Sequence, residues 1–119
     1  MINNLLIVGI GGAAGSMLRY FIQLLLNITY PVGTILVNLT GCFLIGILWG
    51  FLTKNYMSEP LRLLYITGFC GGFTTFSAFT VEGNQMLSEG RWSALLIYLT
   101  ISVAGGFILT YFGFKLFNT

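Results

Sequence analysis

The chain has 119 residues, of which 56% are hydrophobic and only 7% charged, with five Lys/Arg, three Asp/Glu, no His and a net charge of +2. Soluble domains carry about 25% charged residues, so this chain cannot cover itself with a polar surface, and its composition is that of an integral membrane protein. The small net charge gives no footing for a nucleic-acid partner, and a chain without His or a Cys-x-x-Cys pair lacks the usual zinc and iron ligands.

A membrane-spanning helix needs about 20 mainly apolar residues. Four segments meet that requirement: Leu5–Leu26, Val32–Leu52, Leu61–Val81 and Trp92–Phe114. The expectation is a single all-α transmembrane domain over residues 1–119, with no sequence repeat and no soluble domain. No Lys or Arg precedes the first apolar run, so that run reads as a transmembrane helix rather than a cleaved signal peptide. Polar breaks at Asn27–Pro31, Thr53–Pro60 and Glu82–Arg91 separate the spans. Tyr30, Tyr56 and Trp92 stand near span ends, where interfacial aromatic residues belong.

The first span carries Gly11 and Gly15, a spacing that brings helix backbones together in lipid. Gly46/Gly50 in the second span and Gly68/Gly72 in the third repeat the pattern. Late in the first span sits Arg19. It either snorkels to the interface on its long stem or draws anions into a vestibule. The second span holds Asn38, with Thr34 four residues earlier on the same face. The Asn38 amide suits a hydrogen bond to a neighbouring helix, and it equally offers N–H donors to an anion. Cys42 and Cys70 lie within apolar stretches and read as buried free thiols.

The third span is the least regular. Gly68, Gly71 and Gly72 weaken its backbone, and Phe residues alternate with hydroxyl side chains through Thr80. Each Gly costs about 1 kcal/mol against Ala in a helix, so the helix is expected to break near Gly71–Ser77, with Thr74, Thr75 and Ser77 satisfying the freed backbone groups. Two half-helices then point carbonyls at a common spot, as small-cation sites in transporters do, which predicts a Na⁺-like ion held by backbone oxygens. Phe76 and Phe79 share a face, and their ring edges carry partial positive charge suited to a small anion. In the fourth span, Tyr98 and Ser102 stack two hydroxyls on one face. That pair serves a helix contact or lines a pore.

Glu82, at the end of the third span, is the one carboxylate near membrane depth, and Glu59 and Glu89 belong to loops. A cation pathway would favour rings of Asp or Glu, so the polar set fits an anion better. Four spans place Lys54, Arg62 and Lys115 on one side, with Arg91 and Arg19 towards the other. This near-balance leaves the positive-inside rule with little to act on and predicts insertion both ways up, as an antiparallel homodimer. Four short helices hardly enclose a conduit, so a transport path is expected at the subunit interface.

"GFCGGFTTFSAFTVEG" (Gly68–Gly83), "GTILVNLTGCFLIG" (Gly33–Gly46) and "GGAAGSMLRY" (Gly11–Tyr20) closely resemble the third, second and first helices of the Fluc (CrcB) fluoride channels, and the likeness covers essentially the whole chain. The resemblance implies a dual-topology homodimer in the inner (plasma) membrane, with two antiparallel pores that pass fluoride passively. It also implies a structural Na⁺ at the dimer interface, held by the carbonyls of Gly71 and Thr74. By the same matching, Asn38, Phe76, Phe79, Tyr98 and Ser102 belong to the anion pathway, Arg19 to its aqueous entrance, and Ser77 and Thr80 to the third-helix motif. Glu82 matches an acidic residue of that motif and carries no expected role. A small multidrug exporter would need a carboxylate in the first helix, which is absent. A scaffold subunit would not need the Thr/Ser/Phe cluster, and no nucleophile–base pair supports an enzyme.

Overall fold

The computed structural model describes residues 1–118, which are helical apart from their turns and two extended residues, and four segments are long and apolar enough to cross a membrane. They are α1 (Ile2–Leu26), α2 (Val32–Thr53), a composite third segment (Glu59–Ser88) and α6 (Trp92–Leu116). The protein is therefore a multi-pass membrane protein. At a rise of about 1.5 Å per residue, each exceeds the roughly 30 Å hydrocarbon layer. Large apolar side chains stand exposed along all four, as a lipid-facing surface requires.

The third segment is built from pieces. It opens with α3 (Glu59–Arg62), continues as a π-helical stretch (Leu63–Cys70) and tightens into α4 (Gly71–Phe73). Thr74 and Thr75 then adopt extended backbone, at φ −90°, ψ 158° and φ −149°, ψ 114°. Helix resumes as α5 (Phe76–Ser88). The end differs from the sequence expectation: the polar run after Val81 does not break the chain, and helix continues through Glu82 to Ser88. It stops where Gly90 takes a positive φ of 71°. There Gly90 N–H donates to Leu87 O (3.1 Å) and Arg91 N–H to Met86 O (2.8 Å), the two bonds of a Schellman cap. Polar residues end a transmembrane pattern without ending a helix, so Glu82 lies inside α5.

The helices pair through glycine. A Cβ on Gly11 would run into Leu64 O of the π-helical stretch, one on Gly15 into Phe69 O, and one on Gly72 into Gly12 O. On the other side of the bundle, a Cβ on Gly46 would meet Thr110 O and one on Gly113 would meet Phe43 O. The Gly11/Gly15, Gly46/Gly50 and Gly68/Gly72 spacings are thus close-packing devices. They join α1 to the first half of the third segment and α2 to α6.

Gly15 and Gly9 provide a matched test on one helix. Gly15→Ala forces a Cβ onto backbone and should destabilise the protein by about 1–3 kcal/mol. At Gly9 nothing lies within 4 Å of the new Cβ, so Gly9→Ala should be neutral or stabilising by up to about 1 kcal/mol. Thermal unfolding of the two variants in detergent reads both signs, and equal melting temperatures would contradict this packing.

Candidate functional site

Thr74 and Thr75 free backbone groups in the middle of a lipid-embedded segment, and side chains from α1, α2 and the segment itself take them up. Asn38, on α2, grips Thr75 with both ends of its amide: Oδ1 accepts from Thr75 N–H at 2.7 Å, and Nδ2 donates to Thr75 O at 3.0 Å. Arg19, on α1, donates through Nε to Gly72 O at 2.9 Å, and Ser16 Oγ reaches the same carbonyl at 3.4 Å. Thr75 Oγ1 then accepts from Ala78 N–H at 3.1 Å, which is an N-cap on α5. Thr74 turns its hydroxyl back to Cys70 O, 2.9 Å away. Among the described residues no side chain donates to the carbonyl of Gly71 or Thr74.

Beside this region a groove of about 520 Å³ runs along one face of the bundle. Asn38, Gly71, Thr74, Phe76, Phe79 and Ser102 are among its walls. Phe76 is 75% exposed and Phe79 only 8%. Their ring centroids lie 5.8 Å apart, and Phe79 meets Tyr98 edge-on at 5.0 Å. Ser102 Oγ is buried with no hydrogen-bond partner among the described residues. An unpartnered buried hydroxyl is uncommon and points to a ligand or water.

The residues singled out from the sequence therefore fall into two groups. Asn38, Gly71, Thr74, Phe76, Phe79 and Ser102 converge on the groove. Arg19, Ser77, Thr80 and the Tyr98 hydroxyl do not. Arg19 lies on the α1 side against Gly72 and Gln23. Ser77 Oγ faces Thr75 Oγ1 at 3.3 Å, and the Thr80 hydroxyl bonds back to Ser77 O at 2.9 Å. Tyr98 and Ser102 are one helical turn apart, yet their hydroxyls serve different surroundings.

Tyr98 OH donates to Glu82 Oε1 at 2.9 Å, while Thr34 Oγ1 and Asn27 Nδ2 bond Glu82 Oε2 at 2.9 and 3.0 Å. Gln23 Nε2 adds a bond of 3.0 Å to Thr34 Oγ1. Thr34 is fully buried. Sequence reading missed this cluster, although Arg19 and Gln23 on α1 and Asn27 just past its end recur every four residues and so share a face. The sequence places Glu82 at the end of the third span and names no partner for it.

Residues 6–114 match the model of the family described as "CrcB-like protein, Camphor Resistance (CrcB)". The chain belongs to the CrcB family. It is similar over nearly its whole length to proteins named "Fluoride-specific ion channel FluC". With that of Azobacteroides pseudotrichonymphae it is 40% identical, covering 98% of this chain and 97% of the relative. With "FluC 1" of Yersinia pestis it is 45% identical over 99% and 96%. With that of Chloroflexus aurantiacus (strain J-10-fl) it is 42% identical over 93% and 92%. These CrcB relatives are named as channels and not as enzymes.

Asn38→Ala leaves both backbone groups of Thr75 without their partner. An orphaned polar group costs about 1–3 kcal/mol, and the melting temperature in detergent should fall clearly. Unchanged stability would show that the amide does not hold the extended pair.

Proposed function

We propose that this chain is a passive, fluoride-selective ion channel of the cell's inner (plasma) membrane, working as an antiparallel, dual-topology homodimer with two pores. Near-full-length identity to relatives named fluoride-specific ion channels is the observation that carries the reading. The open groove supports it. A strongly hydrated anion needs donors that replace water, and Asn38 and the unpartnered Ser102 hydroxyl offer them. Phe76 and Phe79 supply apolar walls whose ring edges tolerate negative charge without binding it tightly. The groove is open along one face of a single chain, and a second copy seated there would close it.

The third segment is read as two half-helices joined at Thr74–Thr75. The carbonyls of Gly71 and Thr74, which take no side-chain donor among the described residues, would hold a Na⁺ between two such segments at the dimer interface. Gly71 suits that place because nothing lies within 4 Å of where its Cβ would be. A bound Na⁺ supplies a fixed positive charge that ties the two subunits together. Arg19 and Ser16 occupy the Gly72 carbonyl and so leave it out of that set.

The direction of flow follows from acid–base chemistry. HF crosses membranes neutral, ionises in the more alkaline cytoplasm and is trapped there as the anion. A passive pore lets it leave, driven by about 2.3 kcal/mol per charge for each 100 mV of negative-inside potential.

Purified protein in liposomes should release fluoride rapidly and chloride slowly, with no dependence on an imposed proton gradient, and liposomes that release no fluoride would end the assignment. Phe79→Ile removes ring-edge contacts worth about 1 kcal/mol and should slow efflux several-fold while the protein stays folded. Phe76→Ile should act in the same sense. Wild-type rates in both variants would remove the rings from the path. C-terminal reporters active on one side of the membrane only should both give signal, and signal from one side alone would exclude dual topology.

A further inference from the structure

We infer that Asn27 is a positioning residue: it holds the Glu82 carboxylate against Tyr98 and, through the Tyr98 ring, sets Phe79 at the wall of the groove. The inference rests on the channel reading above and assigns a role to a loop residue outside the groove.

The hydrogen bonds have only one consistent direction on the Thr34 side. Asn27 Oδ1 accepts from Thr34 N–H at 3.1 Å, which orients its amide. Its Nδ2 then points at Thr34 Oγ1 and Glu82 Oε2, each 3.0 Å away. Gln23 Nε2 also donates to Thr34 Oγ1, at 3.0 Å. A hydroxyl has one hydrogen and two lone pairs. With two amide donors on its oxygen, Thr34 sends its own hydrogen to Glu82 Oε2, 2.9 Å away. Oε2 thus receives two hydrogens and serves only as an acceptor. Its geometry leaves Oε1 facing the Tyr98 hydroxyl at 2.9 Å, and the buried Tyr98 ring packs edge-on against Phe79 at 5.0 Å.

Position 27 therefore needs a side chain with an acceptor at one end and a donor at the other. Aspartate is isosteric but would put a second carboxylate within hydrogen-bond distance of Glu82. Two carboxylates at one site raise the pKa of one of them. In alkaline solution both ionise and repel, and Glu82 swings off Tyr98. On acidification one takes a proton, which restores the hydrogen between the two side chains and returns Glu82 to Tyr98, although the bond to Thr34 Oγ1 is not replaced. The other groups facing this cluster are few. From α6 comes Tyr98. From α1 comes Arg19, one turn before Gln23 and already bound to Gly72 O. Tyr30, Glu89 and Arg91 line, with Asn27 and Glu82, a pocket of about 140 Å³, where Arg91 pairs with Glu89 at 3.3 Å and lies over the Tyr30 ring at 5.3 Å. From α2 there is only the uncharged Thr34.

The test is fluoride efflux from liposomes as a function of pH across neutrality, for wild type, Asn27→Asp and the double variant Asn27→Asp/Glu82→Gln. Wild-type flux should be flat. Asn27→Asp should lose flux several-fold on the alkaline side, where both carboxylates are charged, and recover on acidification. The double variant carries one carboxylate and one amide again, so its flux should be flat. Asn27→Asp flux equal to wild type at every pH overturns the proposal. So does a loss that neither acid nor the second substitution relieves, because that is the mark of a merely structural residue. Infrared spectroscopy of the three proteins gives a readout without flux. A protonated-carboxyl band near neutrality should appear in Asn27→Asp alone, and its absence there overturns the proposal. If the wild type passes no fluoride, the channel reading has failed, and the infrared result still decides whether Asn27 governs Glu82.

Discussion

A peptide group without a partner costs several kcal/mol in hydrocarbon, and the two extended residues Thr74 and Thr75 would be ruinous in lipid on their own. The structure depends on the answer to that cost. Asn38 reaches across from α2 and pairs with both backbone groups of Thr75, as a neighbouring β-strand would. From the opposite flank Arg19 takes the carbonyl of Gly72. The backbone from Gly72 to Thr75 is therefore satisfied from α1 and α2 together.

That support demands close approach, which the glycines supply. Gly11 and Gly15 let α1 lie against the backbone of the third segment, and Gly41 of α2 leaves room for the Thr74 side chain. With those contacts made, Arg19 is near enough to serve Gly72, and Asn38 to serve Thr75. The glycine seams do more than stabilise a bundle, because they set the distances over which the polar side chains must reach. On the far side of the groove, the α2–α6 seam fixes α6, and with it Ser102 and Tyr98.

Tyr98 links the two polar regions. Its hydroxyl belongs to the cluster around Glu82, and its ring to the aromatic contact with Phe79. Burial of Thr34 and Tyr98 means that a carboxylate off the groove bears on a ring within it. Every polar atom of Asn27 in this cluster is engaged, so the loop between α1 and α2 is part of the same construction.

The number of spans, their helical nature and the glycine seams were legible in the sequence, because span length, apolar content and small-residue spacing act locally. Asn38, Gly71, Thr74, Phe76, Phe79 and Ser102, which the structure places on the groove, stood out in the sequence too, since glycines, hydroxyls and aromatic rings seldom crowd together in a plain transmembrane helix. Where α5 ends was not legible: apolar patterning marks the lipid boundary, whereas the helix boundary is set by the cap at Gly90. Nor was the Glu82 cluster. Its members come from α1, α2, α5 and α6 and are up to 55 residues apart in bonded pairs. Local chemistry names the groups that need partners, but only the packing of helices decides which groups are close enough to be those partners.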